Sequence, residues 1–485
     1  MRYYKYIAVL LVFLCRFVTV SAYETINPSS YGVLSAKSGI ERYNCLLACH
    51  RDAVKKNFAI SYAGINKLDI EIPANAESIP LPNEVDFAGV NLNVLNTQKN
   101  TFLFVSNEST SNVQVSAKEI DTGLLANNPM LQSGTYLLIL NDEKPWVENR
   151  KGYNFGATRR DILHVVNGVA QNSVTYPYGN ENTIPKAVYA KIVARKSYKN
   201  LLINRDARST KITYMISVRN SYDVSLSGIT LNTPQDNSLY GDAAIQFINS
   251  ANVKISDITI NGTYSQTGQY GYGINLENVA MFTGERIYAR ARWGVFGTNN
   301  VNGATLKDCD INRFDIHCYG RDIRCYNCKF SDLYNQFSSV FGDVYFEKCT
   351  LSNFTPALIE SSYNAYTPFD LTFKNCTFNL NARNNRILTL MSLAEELNSR
   401  PELSRKAIPN ITIKNCIINL ADDVKEWYIV NTGRVTYKEP LDYISKIEVN
   451  RLKNNSNVDY KLFSTDLRTT KPLKVVRKRL KFNTK

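Results

Sequence analysis

The sequence predicts an all-β fold, a right-handed parallel β-helix with a helix-containing N-terminal cap and loop insertions. A short phrase recurs along the second half of the chain: an apolar residue, a two-residue polar corner, Ile or Cys, a polar residue and an apolar residue. Its copies are Leu226–Leu231, Ile255–Ile260, Leu306–Ile311, Cys325–Phe330, Phe346–Leu351, Phe373–Phe378 and Ile413–Ile418. Each copy reads as two short strands around a corner and is too small to bury its own apolar face, so it must stack on its neighbours. The long gap between Ile258 and Cys309 is predicted to hold two coils.

The cysteines fit the same interior. Cys309, Cys328, Cys349, Cys376 and Cys416 occupy the position that Ile fills in the first two copies. Exchange with Ile predicts that these thiols point inward as small apolar groups rather than forming disulfides. The Cys-x-x-Cys spacing at 325–328 is the spacing of the corner itself, so no metal site and no cofactor are predicted. The oxidation state of Cys45 and Cys49 stays open.

The first 22 residues are typical of a cleaved leader. Arg2 and Lys5 precede a short apolar run, and the small residues that end at Ala22 are typical of a cleavage site. No other segment reaches the ~20 apolar residues that a transmembrane helix needs. The prediction is a secreted or periplasmic protein with no transmembrane segment.

The remaining chain divides by pattern into four parts. Residues 23–140 are predicted to form a cap and first coils, with a helix at Ile40–Lys55. Residues 141–186, aromatic and basic, are predicted to be a loop insertion. Coils are predicted over residues 187–452, with a further helix at Leu388–Leu397, and residues 453–485 read as a basic tail.

Charge points to an anionic partner. The 485-residue chain carries a formal net charge of +14, of which Arg2, Lys5 and Arg16 belong to the leader. A basic exported protein favours an acidic glycan or another anionic surface. No pattern matches a nucleic-acid-binding module, so the predicted partner is an acidic polysaccharide.

A second strand in each coil supplies a candidate binding face. Aligned by their apolar residues, these strands turn one residue per coil outward, about 4.8 Å from the next. The predicted outward residues are Gln246, Asn275, Phe296, His317, Ser338 and Glu360.

The segment Arg313–Arg321 carries the candidate chemistry. Strict alternation turns Asp315, His317 and Tyr319 outward, and the catalytic prediction is these three with Arg321. A His beside a carboxylate is a suitable base, a Tyr a proton donor, and an Arg can neutralise a sugar carboxylate. The predicted substrate-binding residues are Arg292, Arg313, Gln246, Asn275, Gln336, Glu360, Trp146, Arg159 and Arg160.

The repeat and the Asp-x-His segment resemble right-handed β-helix proteins of the pectin lyase-like superfamily, over about residues 190–452. Asp315-Ile316-His317 is similar to the Asp-Pro-His motif of mannuronan C5-epimerases, which implies a proton-transfer site there. Ile316 stands where that motif has proline, and Asn312 where those enzymes have a catalytic tyrosine. The Asn-Thr-Asp and Gly-His-Gly signatures of polygalacturonases are absent from the sequence.

Three functions remain open at this stage. The first is an exported enzyme acting on a uronate-containing polysaccharide by proton abstraction, as a lyase or C5-epimerase. The second is a glycoside hydrolase, which needs two suitably spaced carboxylates. The third is a non-catalytic glycan-binding or adhesive solenoid, because this architecture supports all three.

Overall fold

The computed structural model describes most of the chain beyond the leader. The described residues are 23–97, 101–147, 157–179, 186–205, 212–232, 243–261, 272–291, 294–316, 319–338, 340–360, 369–391, 410–434, 446–464, 474–478 and 481–482. The predicted leader therefore lies outside them, as do Arg292 and His317. No helix within the described ranges is long and apolar enough to cross a membrane.

The prediction of a parallel β-helix is confirmed. A hydrogen-bonded set of 29 strands winds through the described residues, and each strand pairs in parallel with one about a coil away. Before an insertion, its strands are β1 (Thr25–Ile26), β2 (Ala59–Ser61), β3 (Lys67–Ile72), β4 (Ile79–Pro80), β5 (Glu84–Thr97) and β6 (Thr101–Asn107).

The insertion contributes β7 (Ser111–Val113), β8 (Thr135–Val147), β9 (Ala157–Val166), β10 (Val169–Ala170) and β11 (Lys186–Lys191). The solenoid then continues with β12 (Lys196–Arg205), β13 (Ile212–Arg219), β14 (Tyr222–Asn232), β15 (Ala243–Asn261), β16 (Tyr272–Ala289), β17 (Gly294–Lys307), β18 (Asp310–Ile311), β19 (Phe314–Ile316), β20 (Gly320–Tyr326), β21 (Lys329–Phe337), β22 (Val340–Glu347) and β23 (Thr350–Glu360). The last coils are β24 (Phe369–Lys374), β25 (Thr377–Leu380), β26 (Arg386–Met391), β27 (Asn410–Lys414), β28 (Ile417–Leu420), β29 (Trp427–Arg434), β30 (Lys446–Asn450), β31 (Lys453–Asn454), β32 (Tyr460–Phe463), β33 (Lys474–Lys478) and β34 (Lys481–Phe482).

The corner in each recurring phrase is made by one residue in the left-handed conformation. Asn327, Asn375 and Asn415 have φ values of 53°, 55° and 54°. Asparagine tolerates this region because its short side chain finds local hydrogen bonds. The Asn415 amide donates to the Asn375 side-chain oxygen of the coil before it, at 3.3 Å. The corners therefore stack in register and turn the flanking strands inward at the same place in every coil.

The recurring cysteines form a column inside the solenoid. All five are buried and free, as exchange with Ile predicts. Each thiol approaches the backbone carbonyl two residues earlier, for example Cys309 Sγ and the Lys307 oxygen at 3.2 Å. Burial also raises the pKa of the neighbouring Cys325 thiol well above its ordinary value. The interior thus keeps the Cys325 thiol protonated.

The long gap in the repeat does contain a further coil. Ile287 lies beside Ile258, and Gly284 lies between Ile255 and Leu306. A Cβ on Gly284 would come within 2.8 Å of the Ile287 side chain and 3.0 Å of Leu306. Glycine therefore replaces the usual apolar residue for lack of space, which hides this copy from the sequence pattern.

A helix covers the first coil, as expected from the sequence. Helix α1 (Gly39–Lys56) begins with a capping box in which Ser38 and Glu41 satisfy each other's backbone N–H groups. Its buried side includes His50, whose ring nitrogens contact the Pro80 carbonyl oxygen at 2.9 Å and the Tyr62 hydroxyl at 2.8 Å. Burial lowers the pKa of His50 to about 4. The helix thus closes the end of the core with a neutral histidine.

The region predicted as a loop insertion over residues 141–186 is an insertion, but its described residues 141–147, 157–179 and 186 belong to a folded unit rather than to a loop. Strands β7 to β11 form a five-stranded antiparallel sheet in the order β10-β9-β8-β11-β7. Helix α2 (Ala117–Thr122) accompanies them. We call this unit the inserted sheet. Because β6 pairs directly with β13, the first coils precede the insertion and the solenoid resumes at Lys196 rather than at residue 187.

Two further boundaries differ from the sequence prediction. The expected helix at Leu388–Leu397 begins instead as a strand, because β26 pairs with β23 and β29; residues 392–409 lie outside the described part. The predicted basic tail adds strands, since β33 and β34 pair with β30 and β31. Stacking on an exposed coil end supplies partners for backbone groups that would otherwise be unpaired.

Candidate functional site

One outward-facing residue per coil forms a continuous line, which we call the outer row. Strand pairing aligns Ser217, Gln246, Asn275, Gly297, Asp315, Gln336, Leu358, Thr389 and Asn431. Gln246 and Asn275 are neighbours, as expected from the sequence. The next coils are aligned differently from the prediction.

The register error has a clear physical cause. Phe296, predicted to face outward, pairs with Ile274 and Phe314 and packs in the core with them. Gly297 takes the outward place. Asp315 rather than His317 is then its neighbour, and Gln336 rather than Ser338 follows. Counting apolar residues fails here because Val295 and Phe296 are adjacent and both buried.

Tyr272 lies across this gap in the outer row. A Cβ on Gly297 would stand only 2.4 Å from Tyr272 Cδ2, so the ring rests directly on the glycine backbone. The Tyr272 hydroxyl donates to Asp315 Oδ2 at 2.6 Å. Tyr272 is half-buried and therefore keeps contact with solvent. Glycine allows a residue two coils before Asp315 to reach its carboxylate.

Asp315 also forms an ion pair with Arg313, at 2.5 Å between Nη2 and Oδ2. The side chains of Arg313 and Asp315 are 1% and 0% exposed. Arg313 Nη2 further donates to Gln336 Oε1 at 2.7 Å, and its guanidinium lies 4.3 Å from the Tyr334 ring centroid. The expectation that Asp315, Arg313 and Gln336 lie open to a ligand is therefore wrong, because they form a buried network beneath the surface.

Tyr319 is not in the predicted groove. It is 1% exposed and has a φ of 75°. Its hydroxyl donates to the Arg160 backbone oxygen at 2.6 Å and accepts from the Arg160 N–H. The inserted sheet thus covers Tyr319, and burial raises its pKa well above the ordinary value. It cannot reach a ligand on the outer row.

Other predicted site residues also hold the inserted sheet in place. Arg321 donates to the Thr175 backbone oxygen at 2.9 Å. Arg159 is buried with its guanidinium 3.3 Å from the Tyr178 ring centroid. Arg160 bonds Glu277 Oε1 at 2.6 Å, two residues beyond Asn275. The inserted sheet therefore borders the outer row at this edge.

A buried carboxylate lies within the same contact. Asp161 accepts a hydrogen bond from the Thr175 N–H at 2.7 Å. Burial raises the pKa of Asp161 to about 6. A carboxyl with this pKa changes charge in mildly acidic conditions.

Among the remaining predicted site residues, the structure describes the side chains of Gln246 and Asn275 but not those of the other four. Gln246 is buried and accepts from the Ser217 hydroxyl at 3.1 Å, whereas Asn275 is half-buried. Arg292 and His317 lie outside the described residues. The backbones of Trp146 and Glu360 lie in β8 and β23, but their side chains lie outside the described part.

The arrangement brings together a phenol, a carboxylate and a guanidinium. The Asp315 carboxylate accepts from both the Tyr272 hydroxyl and Arg313, and so holds that hydroxyl in one orientation. Such a phenol is suited to proton transfer with a bound ligand. Within the described ranges, no three or more His, Cys, Asp or Glu residues are close enough to hold a metal ion.

Sequence reasoning missed Tyr272, because nothing in its own strand marks it. The available signal was Gly294 and Gly297, which follow on the next coil. A Cβ on Gly294 would meet the Arg313 side chain at 2.8 Å. Two glycines in one outward strand indicate that large side chains from neighbouring coils cross it.

Comparisons with known proteins find the fold but no family. No protein-family model matches the sequence, and no curated protein matches it. Among solved structures, the chain is similar to the tailspike protein gp49 from Pseudomonas phage LKA1. The two share 13% identity at a TM-score of 0.57, over 94% of this chain and 81% of that one.

A second similar structure is the gp54 tailspike of the Acinetobacter baumannii bacteriophage AP22, solved in complex with A. baumannii capsular saccharide. It shares 12% identity at a TM-score of 0.52, over 94% of this chain and 79% of that one. At such identities the likeness establishes architecture alone. The chain therefore shares the parallel β-helix architecture of these two tailspikes.

Proposed function

We propose that this protein is an exported carbohydrate-active enzyme that binds an acidic, uronate-containing polysaccharide along the outer row. It acts on that polysaccharide by proton abstraction, as a lyase or a C5-epimerase. The observation that carries the proposal is the hydrogen bond from the Tyr272 hydroxyl to Asp315, which itself pairs with buried Arg313. The second similar tailspike was solved with a capsular saccharide, which supports a glycan ligand.

In this proposal Tyr272 replaces Tyr319 as the proton donor. Arg313 holds Asp315 in place, and Asp315 fixes the orientation of the half-buried Tyr272 phenol. His317, predicted two residues beyond Asp315, is the base that removes the proton α to the uronate carboxylate. Tyr272 then protonates the leaving glycosidic oxygen in a lyase, or the opposite face of the sugar in an epimerase.

Burial of the Arg313–Asp315 pair suits this division of labour. A buried ion pair holds its geometry firmly, because breaking it would leave an uncompensated charge. It is therefore better placed to position Tyr272 than to contact substrate. Neutralisation of the sugar carboxylate then falls to a cation nearer the surface, for which Arg292 remains the sequence prediction.

A non-catalytic glycan-binding solenoid is the second candidate. It is favoured by the burial of Asp315 and Gln336, which leaves half-buried Tyr272, beside the outer row, and Asn275, within it, as the accessible groups near the centre. A hydrolase is less well supported, because no second carboxylate occupies the outer row among its aligned residues.

The test is a product assay with purified protein on alginate, polygalacturonate and other acidic glycans. New ultraviolet absorbance marks a lyase, an altered ratio of the two C5 epimers marks an epimerase, and new reducing ends without absorbance mark a hydrolase. We expect Tyr272→Phe to lower the rate about 100-fold or more, which is the usual contribution of general acid–base catalysis.

Tyr288→Phe is the matched control, because Tyr288 is exposed on another face of the solenoid. It should retain wild-type activity. A demonstrated activity that survives both Tyr272→Phe and His317→Ala would refute the proposed centre. Binding without any product would favour the non-catalytic candidate.

A further inference from the structure

Arg219, which forms no ion pair among the described residues, lies on the outer face two coils before Tyr272 and four before Asp315. The guanidinium of Arg219 stands 4.6 Å from the Phe102 ring centroid. Its Nε donates to Ser217 Oγ at 3.1 Å. None of the carboxylates in the described ranges forms an ion pair with it, although Glu108 and Glu277 pair with Lys196 and Arg160 nearby.

Arg219 is held in place from two sides. Phe102 stacks on Tyr214 with centroids 5.3 Å apart and ring planes 5° from parallel, which gives the guanidinium a rigid support. Ser217 links Arg219 to the next coil of the outer row, because the Ser217 hydroxyl accepts from Arg219 and donates to Gln246. A cation that is ordered, half-buried and uncompensated is prepared for an anionic ligand.

The distance to the reaction centre is set by the strand ladder. Strands β13, β15, β16, β17 and β19 are successive neighbours on this face. Four steps of ~4.8 Å place Arg219 about 19 Å from the Asp315 coil. One strand spacing is close to the length of one pyranose residue in an extended chain, so the interval corresponds to about four sugars.

We propose that Arg219, supported by Phe102 and Tyr214, forms a remote subsite for the carboxylate of a uronic acid. This inference rests on the proposed function for its ligand class. A chain held there and at Tyr272 must span the intervening coils. The enzyme therefore acts on long acidic chains and holds them on the N-terminal side of the reaction centre.

The test measures binding of oligogalacturonates and oligomannuronates of graded length, from disaccharide to octasaccharide, by isothermal titration calorimetry. A Tyr272→Phe background prevents turnover. Arg219→Gln should weaken binding of the longest oligomers about tenfold or more, because a hydrogen bond between two charged groups is lost. Disaccharides and trisaccharides, too short to reach both places, should bind as before.

Lys254→Gln is the matched control. It removes the same charge from an exposed position on another face and should bind every length like the parent. Arg219→Lys, which keeps the charge but loses the planar fork, should lie between the parent and Arg219→Gln. Circular dichroism and thermal unfolding check that each variant is folded.

The outcomes separate this inference from the proposed function. An equal loss at all lengths, or no loss at any length, overturns the remote subsite even if the enzyme is active. A loss confined to long oligomers supports the subsite even if no chemistry is found at Tyr272. Failure of both oligomer series to bind overturns both proposals.

Discussion

The contact between Tyr272 and Gly297 gives a sharp test of the candidate site. In Gly297→Ala the new methyl group would stand 2.4 Å from Tyr272 Cδ2, whereas carbon atoms pack at about 3.5–4.0 Å. The ring must therefore withdraw by about 1 Å. That movement lengthens its 2.6 Å bond to Asp315 beyond the range of an ordinary hydrogen bond.

The expected cost follows from three terms. Loss of a hydrogen bond to a charged group costs about 1.5–3 kcal/mol. Local crowding adds about 1–3 kcal/mol, partly offset by about 0.4–1 kcal/mol because alanine restricts the unfolded chain. We expect Gly297→Ala to be destabilised by about 2 kcal/mol or more and to lose most of any activity that depends on Tyr272.

A double-mutant cycle by urea denaturation provides the measurement. In a Tyr272→Ala background the obstacle is gone, because the three atoms nearest to the added Cβ all belong to the Tyr272 ring. Gly297→Ala should then be neutral or slightly stabilising, giving a coupling of about 2 kcal/mol or more. The same cost in both backgrounds would refute the placement of the ring over Gly297.

Three other predictions concern the core and the inserted sheet. In the native protein, the column of thiols from Cys309 to Cys416 should resist a thiol reagent until the chain unfolds, which a timed labelling assay by mass spectrometry would show. Tyr319→Phe should weaken the contact with the Arg160 backbone and speed proteolysis of the inserted sheet without changing the rate of a saturated enzyme. An unchanged digestion rate would contradict its assigned role. Burial raises the pKa of Asp161 from 3.8 to about 6, so the folded state favours its protonated form and this stabilisation is lost as pH rises through 6. Asp161→Asn should therefore gain up to about 3 kcal/mol at neutral pH. Burial lowers the pKa of His50 to about 4, so the stability of both proteins falls as pH drops below about 6.5. Below about pH 6, protonation of Asp161 offsets part of this loss in the wild type only. The stability of Asp161→Asn should therefore fall more steeply there, as urea midpoints would reveal.

The coil repeat was readable from the sequence because each corner imposes the same local demands. A residue that tolerates the αL conformation, such as Asn375, precedes a small inward-facing residue, such as Cys376. Both residue types can be recognised in the sequence. The copy of the repeat that contains Gly284 was not recognised in the sequence, because glycine replaces the usual apolar residue where neighbouring side chains leave no room for a Cβ. Local patterns therefore predicted the fold, and they missed this copy because of a contact between coils.

The site was less predictable because its geometry depends on residues far apart in the chain. Alternation correctly turned Asp315 away from the core side occupied by Phe314 and Ile316. It could not show that Tyr272 crosses Gly297 to reach that carboxylate, nor that the inserted sheet buries Tyr319. Both facts arise from packing between separate coils and units.

The place where the inserted sheet leaves the solenoid has a consequence for how such chains diversify. Asn107 lies beside Arg219 in neighbouring strands, and Glu108 forms an ion pair with Lys196 where the chain returns. The coils thus stay paired across this junction, and the inserted sheet leaves the solenoid without interrupting its winding. An inserted unit of another shape could be exchanged at this point, giving the same solenoid a different wall beside the outer row.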